Sequence, residues 1–325
     1  MKPYEFAYGP RLIAGPGCAS RVGELLPDGP CLFVTDRQLR ALGLADAALA
    51  SLSEGGIEAI IFDSVEADPS QATLLAAVAA GEGCASVVGF GGGSPMDVAK
   101  LAVNSPALYA DFALLDADLT LGLPRQVSAA TGIDAIVHAI EAYTTAHRKN
   151  PISDALAREA LRLLAANLLR VCEAPDDREA RGAMLLGAHL AGVAFANAPV
   201  AAVHALAYPI GGLFHVPHGA SNALMLAPVL RHNMPAAMPL YAELGALLDP
   251  ELARLGTQAQ AQGFVEHVAG LCRRAGIPLR LSEVGIDASH LDLLASEAMK
   301  QQRLLVNNMR EVSEADARRL YESAL

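Results

Sequence analysis

Tryptophan is absent and aromatic residues make up only 5% of the chain, which removes the rings that anchor proteins at membrane interfaces. Positive charge is in deficit as well. With 24 Lys and Arg against 35 Asp and Glu, the formal net charge is −11, which argues against a nucleic-acid partner. Charged residues of both signs reach only 18%, and mean hydropathy is +0.31, so a membrane reading has to be tested against the sequence. The five cysteines (Cys18, Cys31, Cys84, Cys172, Cys272) are widely spaced and form no CxxC pair. They read as buried thiols in a reducing compartment. The N-terminal residues, with Pro3, Tyr4 and Glu5 soon after Met1, lack the apolar run of a secretory signal, and the expected location is cytoplasmic. There is no internal repeat or low-complexity tract.

What is present is a core-forming composition: 53% apolar residues over 325 positions, enough for two domains. The first part alternates short β-like runs, PCLFVTD (30–36), EAIIFDSV (58–65) and ASVVGFGGG (85–93), with Ala/Leu-rich stretches of helical length. That is the pattern of βαβ units around a parallel sheet. From about Leu123 onward helical periodicity dominates, punctuated at Pro151, Pro175 and Pro278. The expected fold is an α/β, Rossmann-like nucleotide-binding domain over residues 1–122, followed by an all-α metal-binding domain over residues 123–325.

Residues Gly182 to Leu230 form a run of 49 positions without Asp, Glu, Lys or Arg. The run is long enough for a membrane helix, but His189, His204, His215, His218 and several Pro and Gly interrupt it. A buried helical core is the expectation, and imidazoles in a dry core need partners. Upstream, Asp134 and His138 share one helix face at i and i+4. Chance alone supplies about half of one such DxxxH in a chain of this composition, so the pair means little alone. A carboxylate with His138, His204 and His218 is a donor set suited to Fe(II) or Zn(II), with room for a substrate oxygen.

The turn GFGGGSPMDVAK follows a strand and opens a helix, where free N–H groups and the helix dipole favour a diphosphate. It is not GxGxxG, and plain turn chemistry is the competing reading. Asp36 ends the run CLFVTD, where a carboxylate can accept from ribose hydroxyls and repel a 2′-phosphate, or can simply cap a helix.

GFGGGSPMDVAK, LLDADLTLGLP, TGIDAIVHAIEAY, HALAYPIGGLFHVPHGASNA and the C-terminal KQQRLLVNNMREVSEADARRLYESAL together resemble the iron-containing (group III) alcohol dehydrogenases, related in fold to dehydroquinate synthase. The resemblance spans nearly the whole chain. It implies metal ligation by Asp134, His138, His204 and His218. It also implies a pyrophosphate at Gly91, Gly92, Gly93 and Ser94 with Asp97 completing the turn, NAD in preference to NADP, and a homodimer. The implied activity is hydride transfer between a nicotinamide cofactor and a small alcohol or aldehyde at a metal site between the domains.

The sequence departs from the family pattern in two places. Members carry a further strand and a TTxGTGSE-like loop over the cofactor, whereas here LAVNSPALYADFALLDADLTLGLP runs directly from Lys100 to Pro124, with the junction near Asn104 and Ser105. Tyr208 stands where many members place a proton-relaying histidine, which leaves Tyr208 as a pocket wall or hydrogen-bond donor and His215 as the other proton carrier. Alternative activities are those of a maleylacetate reductase, of a dehydroquinate synthase-like lyase, or of a cofactor-impaired homologue. PHGASNA is closer to the alcohol dehydrogenase branch than to the PHAETHA usual in maleylacetate reductases, and the charge-free run disfavours a polyanionic lyase substrate.

Overall fold

The computed structural model describes residues 4–67, 69–102 and 110–325, and the junction at Asn104 and Ser105 lies outside them. The chain divides into two units, one spanning Gly9–Leu119 and the other formed by Thr120–Leu325 with the segment up to Tyr8. The division falls at Leu119/Thr120, a few residues before the position expected from the fading β signals. The N-terminal segment joins the helical unit through a reciprocal pair: Ala7 N–H donates to Asn197 Oδ1 (2.7 Å) and Asn197 Nδ2 donates to the Ala7 carbonyl (2.9 Å).

The first unit holds two parallel sheets. β1 (Arg11–Ala14) pairs with β5 (Phe112–Leu115), while β2 (Cys31–Val34) lies between β3 (Ala59–Phe62) and β4 (Ser86–Gly89). In the three-stranded sheet Cys31 is level with Ala59 on one side and Ser86 on the other. The helices of this unit are α1 (Arg37–Ala41), α2 (Asp46–Glu54), α3 (Gln71–Ala80) and α4 (Gly93–Ala102).

Strand β2 is fully buried because both its faces are covered. Cys31 and Phe33 join Val22, Ala48 and Leu52 in one cluster, while Leu32 and Val34 join Ala77, Val98 and Ala99 in another. A continuous apolar run is what a central parallel strand requires. Asp116 ties the ends of the two-stranded β1–β5 sheet together: its carboxylate accepts from Gly17 N–H (2.9 Å) and Ala19 N–H (3.0 Å).

The second unit is built from α5 (Arg125–Thr144), α6 (Pro151–Glu173), α7 (Arg178–Asn197), α8 (Ala202–Phe214), α9 (His218–Leu248) and α10 (Thr257–Ala275), followed by the shorter α11 (Leu291–Ala298), α12 (Gln302–Leu305) and α13 (Glu314–Glu322). Local signals set the starts. Asn150 and Asp177 accept from backbone N–H groups at the N-termini of α6 and α7, and Pro151 occupies the first turn of α6. The charge-free run forms most of α7, all of α8 and the opening of α9, and its Ala191, Ala194, Val203, Leu206 and Leu224 lie in a single apolar core. Among the described residues no single helix is long and apolar enough to cross a membrane.

Candidate metal centre and nucleotide cleft

Helix α5 presents Asp134, His138 and Glu141 at i, i+4 and i+7, one stripe among the apolar residues of its second half. His204 lies in the first turn of α8, and His218 is the first residue of α9. Between those helices the chain turns sharply. His215 closes α8 in a left-handed conformation (φ 56°), and Pro217 leads into α9. Gly219 then lets α9 approach α5 so closely that a Cβ at this position would lie 2.0 Å from the Ala130 carbonyl oxygen. That approach brings His218 against Asp134.

The result is a convergence of lone pairs. One donor atom each from Asp134, His204 and His218 lies within 4.8 Å of the others. Asp134 Oδ1 is 3.6 Å from His204 Nε2 and 3.5 Å from His218 Nε2. His138 stands beside this group, its ring stacked between Phe195 (4.5 Å between centroids) and His204 (4.6 Å). The structure therefore brings three of the four predicted ligands together and holds the fourth in ring contact with one of them.

The electrostatics follow from this packing. Burial works against the charge on Asp134, but the hydrogen-bonding and charge of the neighbouring imidazoles outweigh it and lower its carboxyl to about 2. Burial dominates at His138 and lowers it to about 4, so that ring is neutral at physiological pH. At His204 burial opposes the proton, but Asp134 and Glu141 on either side of the ring raise it to about 9.

Two residues at this site carry no signal in the sequence reading. Glu141 is 3% exposed; its Oε2 lies 2.6 Å from His204 Nδ1, and its Oε1 accepts the Val203 N–H at 2.7 Å. Asn222, one helical turn beyond His218, places its Nδ2 2.6 Å from Asp134 Oδ1, 3.3 Å from His204 Nε2 and 3.2 Å from His218 Nε2. Its spacing of four from His218 is the clue that could have found it, as the spacing of three from His138 could have found Glu141.

These residues fit a divalent cation. One amide nitrogen with two hydrogens faces three lone-pair donors, and the Asn222 Oδ1 is buried with no hydrogen-bond partner. A carboxylate and imidazoles converging on one point is the donor chemistry of Fe(II) or Zn(II).

Tyr208 is the nearer of the two proton-carrier candidates. Its ring is 5.7 Å from that of His218 and 6.5 Å from that of His204. His215 is exposed, and among the described residues no hydrogen bond or ring contact of its side chain joins it to the cluster.

In the first unit Asp36, Gly92, Gly93 and Ser94 line one cleft of about 550 Å³, together with Arg37, Asp63 and Glu66. Asp36 caps α1, accepting the Leu39 N–H at 2.8 Å, so it is both a helix cap and a wall of the cleft. Added Cβ atoms at Gly92 or Gly93 would meet nothing within 4 Å, whereas at Gly91 (φ 135°) a Cβ would lie 2.6 Å from Leu39. Gly91 thus makes the turn and does not line the cleft. Asp97, exposed on the second turn of α4, does not line it either.

This pairing of a parallel-sheet unit carrying a glycine-rich cleft with a helical unit carrying a carboxylate–imidazole centre defines a class of metal-dependent dehydrogenases. The family description "Iron-containing alcohol dehydrogenase" matches residues 9–120, and "Fe-containing alcohol dehydrogenase family, C-terminal" matches residues 128–325. The chain belongs to the iron-containing alcohol dehydrogenase family.

Long-chain-alcohol dehydrogenase 1 of Geobacillus thermodenitrificans (strain NG80-2) is 33% identical, with 90% of this chain and 89% of that protein covered. The 1,3-propanediol dehydrogenase of Klebsiella pneumoniae is 32% identical, with 95% and 96% covered. A crystal structure of 1,3-propanediol oxidoreductase superposes with a TM-score of 0.94 at 29% identity, and that of an alcohol dehydrogenase from Oenococcus oeni with 0.93 at 25%. They cover 100% and 99% of this chain and 100% of each of those chains. A maleylacetate reductase from Agrobacterium tumefaciens superposes with 0.84 at 26%, covering 100% of this chain and 99% of that one. The Geobacillus alignment runs over 351 positions while covering 90% of this 325-residue chain, so the relative carries residues with no counterpart here.

Proposed function

We propose that this protein oxidises small alcohols, or reduces the matching aldehydes, with NAD(H) and a divalent metal, Fe(II) in preference to Zn(II). The observation that carries the reading is the convergence of Asp134, His204 and His218 on one point within 4.8 Å, with His138 stacked alongside. The family and its relatives' names support the alcohol substrate class.

When bound, the metal supplies Lewis-acid polarisation of the substrate oxygen. The protein does the rest. Asp134, His138, His204 and His218 hold the ion, and the half-buried Tyr208 hydroxyl donates a hydrogen bond to the substrate oxygen and steers its proton. Gly92, Gly93 and Ser94, at the N-terminus of α4, hold the cofactor pyrophosphate with backbone N–H groups and the positive end of the helix dipole. Asp36 accepts from a ribose hydroxyl. Asp36, Asp63 and Glu66 line one cleft with Arg37, and this excess of carboxylates over one guanidinium disfavours a 2′-phosphate, which favours NAD over NADP. Dimerisation in a reducing, cytoplasmic setting completes the reading, in keeping with five cysteines that are all unpaired.

A second reading is a cofactor-impaired homologue, favoured by alignments longer than the share of this chain they cover, which give the relatives residues with no counterpart here. Calorimetric titration of the metal-loaded protein with NADH separates the two. Micromolar binding supports the dehydrogenase, and absence of binding with a normal metal content supports the impaired homologue.

A further inference from the structure

We infer that Glu141 is a positioning residue that sets which nitrogen of His204 is offered to the metal. The inference rests on reading Asp134, His204 and His218 as ligands. Glu141 is buried to 3% exposure on α5, and each of its two oxygens has one partner: Oε1 accepts the Val203 N–H at 2.7 Å, and Oε2 lies 2.6 Å from His204 Nδ1. Val203 and His204 are consecutive residues in the first turn of α8, and the residue capping that helix, Ala201, contributes no side-chain hydrogen bond. Glu141 therefore serves as the missing cap, from another helix, satisfying one of the N–H groups that a helix start leaves open.

The same carboxylate fixes the imidazole. With Oε1 already accepting from the backbone, Oε2 is an acceptor facing Nδ1, so Nδ1 keeps its proton and Nε2 is the nitrogen that offers a lone pair once a metal displaces the second proton. Nε2 is the atom that faces Asp134 Oδ1 at 3.6 Å and Asn222 Nδ2 at 3.3 Å. A metal-binding histidine held through its other nitrogen by a carboxylate is oriented and made more basic, and loss of such a partner costs about 10- to 100-fold in metal affinity. Helix cap and ligand orientation are thus one contact, and the start of α8 cannot shift without turning His204.

The test is Glu141→Gln, which keeps the shape but offers one accepting oxygen and one NH2 group, so it cannot accept from both Val203 and His204. Zn(II) and Co(II) affinities are measured by competition calorimetry on the full chain, with the Co(II) visible spectrum as a report on ligand geometry. The expected result is binding weakened by about 10- to 100-fold and an altered Co(II) spectrum. An E141Q protein of lowered melting temperature but unchanged metal affinity and Co(II) spectrum overturns the inference, since a purely structural role predicts that outcome. Should E141Q not fold, the Zn(II)-loaded wild-type chain decides: a slowly exchanging His204 Nδ1–H resonance supports the inference, and metallation at Nδ1 overturns it. If the wild-type chain takes up neither metal, the ligand reading fails and the Glu141 role with it. Wild-type uptake with unchanged E141Q affinity removes Glu141 alone.

Discussion

The amide nitrogen of Asn222 lies 2.6 Å from Asp134 Oδ1 and within 3.3 Å of His204 Nε2 and His218 Nε2, so a single carboxamide faces the three converging donors of the candidate metal centre. With two hydrogens it can satisfy at most two of these atoms, and Asp134 Oδ1 is the nearest of them. Asn222→Ala should destabilise the metal-free protein by about 1–3 kcal/mol, the cost of leaving buried polar groups unpaired. Saturating Zn(II) should erase most of that loss, because the cation takes over the lone pairs. Thermal melts with and without Zn(II) check this, and an equal loss in both conditions contradicts it.

The stability of the metal-free protein should peak near pH 6.5. His138 is lowered from 6.5 to about 4, so between those values the unfolded chain binds the extra proton and stability rises with pH. His204 is raised from 6.5 to about 9, so its contribution is complete below 6.5 and is lost as pH rises through 9. Asp134, lowered from 3.8 to about 2, adds stability above 3.8 that is lost as pH falls through 2. Each imidazole shift corresponds to the order of 3 kcal/mol. Urea midpoints across this range should trace a dome, and excess Zn(II) should flatten its alkaline side, since the metal takes the place of the proton on His204. A midpoint that climbs steadily from pH 6.5 to 9 without metal contradicts the assignment.

His138 can be separated from its packing role. Its ring stacks on Phe195 and His204 at 4.5 and 4.6 Å, contacts that a phenyl ring can reproduce. His138→Phe should fold with stability within about 1.5 kcal/mol of the parent. It should lose metal affinity by at least about tenfold. Calorimetric metal titration decides, and parental affinity in this variant would show that His138 is packing and not a ligand.

Two glycines test opposite halves of the account. Gly219→Ala drives a methyl into the Ala130 carbonyl, and should destabilise by about 1–3 kcal/mol and weaken metal binding by moving His218 off Asp134. Gly93→Val points into open space beside the cleft, so it should fold normally yet lose NADH binding by at least about tenfold. Melting curves with metal and NADH titrations check both, and a Gly93→Val protein that binds NADH like the parent removes the pyrophosphate from that turn.

Much of this architecture is written locally. The run CLFVTD announces a strand buried on both faces, and GFGGGSPMDVAK announces a strand-to-helix turn. β1 and β5 are harder to read, since RLIA and FALL pair across about a hundred intervening positions. His204 and His218 are legible because imidazoles in a charge-free run need an explanation, whereas Asp134 is legible through the family resemblance of TGIDAIVHAIEAY. Glu141 and Asn222 are not, because each acts through a partner on another helix, Val203 and His204 for one and Asp134 for the other. Asp97 lies one helical turn past Gly93 and is not among the residues that line the cleft.

The most direct test of the central claim is alcohol-dependent reduction of NAD⁺ by the Fe(II)-loaded full chain, run anaerobically with 1,3-propanediol and longer primary alcohols beside a chelator-stripped sample. The account predicts NADH formation that requires both metal and alcohol, falls with Asp134→Ala, and returns to the stripped protein on adding Fe(II). No NADH formation by protein shown to hold one equivalent of iron would contradict it.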